Sequence, residues 1–343
     1  MQIIYHEVSQ RHDPQFFLVR GVPRRSPERP ERASVLLAAA REAGHQILAP
    51  EDHGPGPRAA IHSPEYLDFL AHAHAAWQAL PDASPEIVAN IHPSHYPGSY
   101  PRSIVGRAGF HMADTACPVG EHTFEAACRA ADCAVEAAIR VLGGEPAVYA
   151  LCRPPGHHAY ADMAGGFCFL NNAAIAAGTL RERCRRVAIL DVDVHHGNGT
   201  QAIFYQRSDA YTLSLHADPA DYYPFFWGYA HERGAGPGEG YNLNLPLPVG
   251  TGDEDYLSAL EQSFGPLRQF APEALVVALG LDTYAGDPLQ GMAISTPGFA
   301  RIGELIGALG LPTVLVQEGG YPCPELGENL VSFLRGFQRV RVT

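Results

Sequence analysis

The chain has 343 residues, 46% of them apolar, and sets 24 Lys and Arg against 37 Asp and Glu, a formal net charge of -13. This composition excludes intrinsic disorder and disfavours a nucleic-acid partner, which needs clustered Lys and Arg against phosphate, while a small cationic partner remains compatible with it. No apolar run approaches the roughly 18 residues of a membrane span, and the start MQIIYHEVSQRHD lacks the basic and apolar regions of a secretory signal, so no membrane association and a cytoplasmic location are expected.

In chain order, a strand is predicted at 2-QIIYH-6, then helices over 31-ERASVLLAAAREAG-44 and 63-SPEYLDFLAHAHAAWQAL-80, the second opening on Ser-Pro-Glu. A long loop rich in Pro, Ser and His follows over 81–118. Next come a helix over 123–144 and strands 147-AVYALC-152, 187-VAILDVDV-194 and 210-AYTLSLH-216. Residues 217–241, aromatic and then glycine-rich, read as a second long loop. The strand 274-ALVVALGLD-282 is followed by a helix over 296–310, with Thr296 as N-cap and Pro297 at its first position, and by the strand 313-TVLVQEGG-320. Most of these strands are continuous apolar runs, as strands covered on both faces should be. The β/α alternation predicts an α/β protein with an open, doubly wound, mainly parallel sheet flanked by helices; with no repeat or linker, one domain is expected. The seven cysteines are odd in number and never spaced C-x-x-C, which points to buried reduced thiols rather than disulfides or a thiolate zinc site.

In such sheets ligands bind beyond the C-terminal strand ends. That rule gives meaning to 191-DVDVHHGNG-199, where Asp191, Asp193 and His195 alternate along one strand face with roughly 6.6 Å between neighbours. Two neighbours can lean onto one ion, and the pair nearest the open end is Asp193 and His195; Asp191, deeper, would orient something behind them. Asp282, ending another predicted strand, offers a third ligand. An Asp-His-Asp set with one vacant position is the arrangement of a catalytic zinc, although D-x-D-x-H alone also reads as a capping and turn segment. Residues 151-LCRPPGHHAY-160 hold His157 and His158 on a turn stiffened by two prolines and a glycine, fit for proton exchange, for further metal ligation or for neither. In 317-QEGGY-321, Tyr321 either donates a hydrogen bond to a developing oxyanion or ends a turn as a packed aromatic.

Together, RPPGHH (153–158), GGFCFLNN (165–172), LDVDVHHGNGTQ (190–201), LSLH (213–216), LGLD (279–282) and EGGY (318–321) resemble, in the same order, the arginase-fold deacetylase superfamily, which holds the zinc-dependent histone deacetylases and the bacterial acetylpolyamine amidohydrolases. The resemblance covers nearly the whole chain. It implies one zinc per chain on Asp193, His195 and Asp282, and a catalytic histidine pair, His157 backed by Asp191 and His158 by Asn198. It implies Tyr321 as the group that polarises the scissile carbonyl, Gly166 and Phe167 as one tunnel wall, and Tyr223 as an aromatic of the opposite wall. It also implies a structural potassium ion held by Asp191, Ser214 and carbonyls around Asp193, His195 and Leu215.

The implied reaction releases acetate and a free amine from an acetamide on a flexible chain, either an N-acetylated polyamine or acetyl-lysine in a protein. The polyamine is favoured on two grounds. Residues 81–118 resemble the insertion through which acetylpolyamine amidohydrolases dimerise, so a homodimer is expected. Ala116 stands before Cys117-Pro118, where histone-directed relatives carry an aspartate that grips the substrate backbone. A silent binding protein on this fold would lack a ligand or the tyrosine. A two-manganese arginase-type hydrolase would need more Asp and His at the strand ends and no GGY.

Overall fold

The structure, a computed structural model, describes residues 1–93 and 98–341. Its strands are β1 (Gln2–Ile4), β2 (Phe16–Val19), β3 (Val22–Arg25), β4 (Gln46–Leu48), β5 (Ala147–Ala150), β6 (Val187–Asp191), β7 (Ala210–Ala217), β8 (Asn242–Leu247), β9 (Ala274–Leu279) and β10 (Thr313–Gln317). Eight of them form one sheet in the order β4-β1-β5-β10-β9-β6-β7-β8, every neighbouring pair parallel; β2 and β3 form a separate antiparallel hairpin.

The sheet is buried because alternate residues of each apolar run feed opposite layers. Val148, Ile189, Val276 and Val314 pack towards the helices Thr123–Leu142 and Asn172–Leu180. Tyr149, Leu190, Val277 and Leu315 pack towards Glu31–Glu42, Asp253–Phe270, Thr296–Gly307 and Leu326–Arg339. Each such side chain contributes roughly 1.5–3 kcal/mol on full burial, so a one-residue register slip would exchange both layers at once. Among the described residues no helix is long and apolar enough to cross a membrane. All seven cysteines are free; Cys117, Cys133, Cys152 and Cys168 are buried, whereas Cys128, Cys184 and Cys323 are half-buried.

The six predicted strands all exist, but each of the four that feed the site stops two or three residues early, at Ala150, Asp191, Leu279 and Gln317. The reason is that residues beyond the last ladder bond remain buried, so the sequence stays apolar or site-forming after the strand has ended. The edge strands β4 and β8 went unread. In β8 the sequence NLNLPL puts Asn242 and Asn244 inward, where both donate to Gln201 Oε1, and this polar inner face hides the strand. The 81–118 segment is not all loop: it contains the helix Ile104–His111, capped by Ser103, and Tyr100 hydrogen-bonds His111 across 2.9 Å. Residues 94–97 of that segment lie outside the described residues. The helix Thr296–Gly307 is capped by Ser295, whose Oγ accepts from Gly298 N at 3.0 Å, not by Thr296, which is its first helical residue and bonds Asn329 instead.

Candidate active site

Because β5, β10, β9 and β6 are consecutive in the sheet and parallel, the four segments that follow them emerge side by side at one edge. They carry His157 and His158, Tyr321, Asp282, and Asp193 with His195, respectively. The spacing argument treats Asp191, Asp193 and His195 as one strand face, yet the strand ends at Asp191. A tight turn does the converging instead: Asp193 N donates to Asp191 Oδ1 (3.1 Å), and His195 N donates to Asp193 Oδ1 (2.9 Å). Asp282 joins from the segment after β9, its Oδ1 accepting from Val194 N (3.1 Å).

Potential ligand atoms of Asp193, His195 and Asp282 lie within 4.8 Å of one another, all buried. His195 Nδ1 stands 3.0 Å from Asp193 Oδ1 and 3.2 Å from Asp282 Oδ2. Asp282 Oδ2 is buried without a hydrogen-bond partner. Burial and the Asp193 carboxylate push the Asp282 carboxyl up to about 6, against the pull of His195. Burial also opposes charge on His195, but the two carboxylates outweigh it and raise the imidazole to about 9. Two buried carboxylates thus share a single proton where a divalent cation would satisfy both, and the donor set fits zinc. Bare backbone makes the room: a Cβ on Gly319 would sit 2.0 Å from Asp282 Oδ2 and 2.5 Å from Asp193 Oδ2.

A second group, His157, Cys168 and Glu318, also converges. It is a poor metal site. Burial drives the Cys168 thiol well above its ordinary value, His157 Nδ1 is engaged by Asp191 at 2.9 Å, and Glu318 Oε2 already accepts two backbone N–H groups.

The two histidines are adjacent in sequence and opposite in electrostatics. Burial disfavours charge on both. At His157 the carboxylates of Asp191 and Asp193 outweigh it and hold the imidazole well above its ordinary value, so the proton of the His157–Asp191 pair stays on the ring. At His158 burial is reinforced by His157 and His195, and the ring is driven well below its ordinary value. His158 Nδ1 meets Asn198 Oδ1 at 2.6 Å, and Asn198 Nδ2 donates to Tyr160 Oη at 2.8 Å. That contact makes Nδ1 the protonated nitrogen and leaves Nε2 with a free lone pair. Burial also lifts the Tyr321 hydroxyl well above its ordinary value, against Arg32, so it is a neutral donor.

The wall residues assemble too. Gly166 has φ +49°, and a Cβ there would fall 2.4 Å from His158 and 2.9 Å from the Tyr223 hydroxyl, which only glycine avoids. Phe167 packs edge-on to Tyr321 at 5.7 Å, and Tyr223 edge-on to His158 at 5.0 Å. Ser214 lies opposite Asp191 in the β6–β7 register, and its Oγ bonds His216 Nδ1 at 2.7 Å.

Three partners were missed by sequence reasoning. Arg32, fully buried 4.7 Å from the Tyr321 ring, donates from Nε to Gly320 O at 2.6 Å. Tyr222 stacks on His195 at 5.2 Å. Asp287 accepts from Tyr321 N at 2.9 Å. None lies in a motif, and no periodicity marks it. Asp114 accepts both the Tyr223 hydroxyl (2.6 Å) and Gly166 N (3.1 Å), so it joins Tyr223 to the Gly166 turn.

A histone deacetylase domain matches residues 26–337. Acetylpolyamine amidohydrolase of Burkholderia pseudomallei is 48% identical over 342 residues, spanning 99% of this chain and all of that protein. Acetylpolyamine amidohydrolase 1 of Pseudomonas aeruginosa is 42% identical over 98% of this chain and 99% of its own. The crystal structure of the Burkholderia acetylpolyamine aminohydrolase superposes with a TM-score of 0.97 over 99% of both chains, and that of the HDA15 HD domain with 0.78 at 28% identity, over all of this chain and 91% of that one. With the sheet, the converging donor set and these full-length likenesses in agreement, the chain belongs to the histone deacetylase family.

Proposed function

We propose that this chain is a zinc-dependent amidohydrolase that removes acetyl groups from N-acetylated polyamines. The observation that carries the chemistry is the buried Asp193–His195–Asp282 set beside an imidazole, His158, kept neutral by its surroundings. The substrate class is supported by relatives named acetylpolyamine amidohydrolase at 40–48% identity over essentially the whole chain.

Asp193, His195 and Asp282 would hold the zinc, which would supply Lewis acidity for an acetamide carbonyl and for water near neutral pH. His158 Nε2 takes the proton of the attacking water and returns it to the departing amine. His157, protonated against Asp191, stays cationic and stabilises negative charge without giving up its proton. Tyr321 donates its hydroxyl to the oxyanion, and Gly166, Phe167 and Tyr223 hold the aliphatic chain. Asp191 and Ser214, facing each other across β6 and β7 at the rim of a small cavity, are proposed with carbonyls around Asp193, His195 and Leu215 as a potassium site. We further propose one catalytic domain, a cytoplasmic location, and a homodimer formed through 81–118, where Ile91 and Tyr100 are 60% and 42% exposed.

Rates on acetylputrescine, acetylspermidine, acetylcadaverine and an acetyl-lysine peptide, measured side by side, test the substrate class. The acetylpolyamines are expected to have the higher kcat/KM; a peptide preference would make the chain a protein deacetylase with the same chemistry.

Asn198 gives a pH prediction. A carboxylate in its place would favour the His158 cation, raise the imidazole pKa and delay release of the base to higher pH. Asn198→Asp should therefore move the acidic limb of the kcat/KM profile upward by about one pH unit or more. An unmoved limb would count against His158 as the base.

A further inference from the structure

We propose that Glu318 is a positioning residue for the histidine pair, its carboxylate clamping the backbone of the turn that carries His157 and His158 and tying that turn to the segment that carries Tyr321. The inference rests on the reading of those three side chains as the reacting groups.

Glu318 is fully buried, and its Oε2 accepts from two successive backbone amides, Gly156 N at 2.6 Å and His157 N at 3.0 Å. Two adjacent N–H groups aimed at one oxygen fix the peptide plane between them. On its other side, His157 O accepts from Thr200 N at 3.1 Å, so the backbone of residue 157 is held at both ends. The ring Nδ1 atoms are held separately, by Asp191 and Asn198. The turn has no room to retreat from the carboxylate: a Cβ on Gly156 would lie 2.4 Å from Asn172 N and 2.7 Å from Leu170 O.

Glu318 is itself a fixed reference. Its N donates to Leu279 O at 2.9 Å, and its carbonyl accepts from Arg32, the side chain that also bonds Gly320 O. The next residue, Gly319, donates to Asp193 Oδ2 at 2.7 Å. The Glu318 side chain therefore ties the backbone of the histidine turn to a segment whose next amide holds Asp193 and which leads on to Tyr321. Its other oxygen, Oε1, is buried without a partner. The clamp uses one acceptor oxygen, which an amide can also provide and a thioether cannot.

The test compares Glu318→Gln and Glu318→Met, similar in volume, with wild type. E318Q should keep kcat within about threefold. E318M should lose about 10²-fold in kcat, the scale of a misplacement of about 1 Å in reacting groups, with KM within about threefold and metal content unchanged. The downfield imidazole N–H resonances should hold their positions in E318Q and move in E318M. Should E318M fail to fold, the E318Q and E318A pair carries the same contrast. E318M near wild-type kcat, or E318Q and E318M equally impaired, would overturn the proposal. The ratios are read on whichever acetamide the wild type turns over, so they are independent of the substrate assignment. Were no acetamide turned over, the functional reading would fall, and the resonance comparison would still decide the clamp.

Discussion

Replacing His158 with alanine is expected to lower kcat by about 10²–10⁴-fold, the usual contribution of a positioned general base, and to leave zinc bound at one ion per chain. The asymmetry between the two imidazoles underlies this expectation. His158 sits between His157 and His195 with only the neutral amide of Asn198 at Nδ1, so its lone pair at Nε2 is available at neutral pH. His157 is paired with Asp191 at 2.9 Å and keeps its proton. Substitution of His157 by alanine should cost less, because it removes a stabilising charge and not the proton carrier. Steady-state kinetics on acetylputrescine with parallel metal analysis separates the two roles. Equal losses at both positions would mean that the pair works as one unit and that the neutral ring is not the unique base.

Asp282→Asn should abolish stable zinc binding and, with it, turnover. Asn can still accept the Val194 N–H through its carbonyl oxygen, as Oδ1 does now at 3.1 Å. What it cannot do is offer a second anionic oxygen in place of Oδ2, the atom that has no hydrogen-bond partner in the protein. The loss in affinity should exceed the roughly 10–100-fold that removal of an outer hydrogen-bonding partner costs. The fold should survive, because the bond from Val194 N is kept and only the contact of Oδ2 with His195 Nδ1 at 3.2 Å changes. Metal content after dialysis and a thermal melt with and without added zinc check this: wild type should gain stability from zinc by mass action, and the variant should not. A variant that keeps stoichiometric zinc would remove Asp282 from the ligand set.

The site was legible in unequal parts. Asp193, His195 and Asp282 could be named because each follows an apolar run that had to be a buried strand, and parallel strands present their C-terminal ends at one edge. The strand-face argument for Asp193 and His195 assumed the wrong geometry, since β6 stops at Asp191 and backbone-to-carboxylate bonds bend the following turn. The roles of Gly166 and Phe167 entered through motif resemblance, which also chose between the two readings that the tyrosine after two glycines left open. Asp114 carried no signal in the sequence, because its bond to the Tyr223 hydroxyl joins residues 109 positions apart.

By itself the sequence determined what local periodicity and composition can encode: six strands of the main sheet, four of the long helices, the edge at which chemistry gathers and the residue types gathered there. Only the tertiary structure decided which distant partners meet, among them Arg32 against Tyr321, Glu318 beneath His157, Tyr222 on His195, and the polar inner face of β8. The physical reason is that a burial pattern fixes which face of a strand or helix points inward, whereas the neighbour it meets follows from strand order and register. Those are set by the packing of the whole sheet between its two helical layers, and no short window of residues contains them.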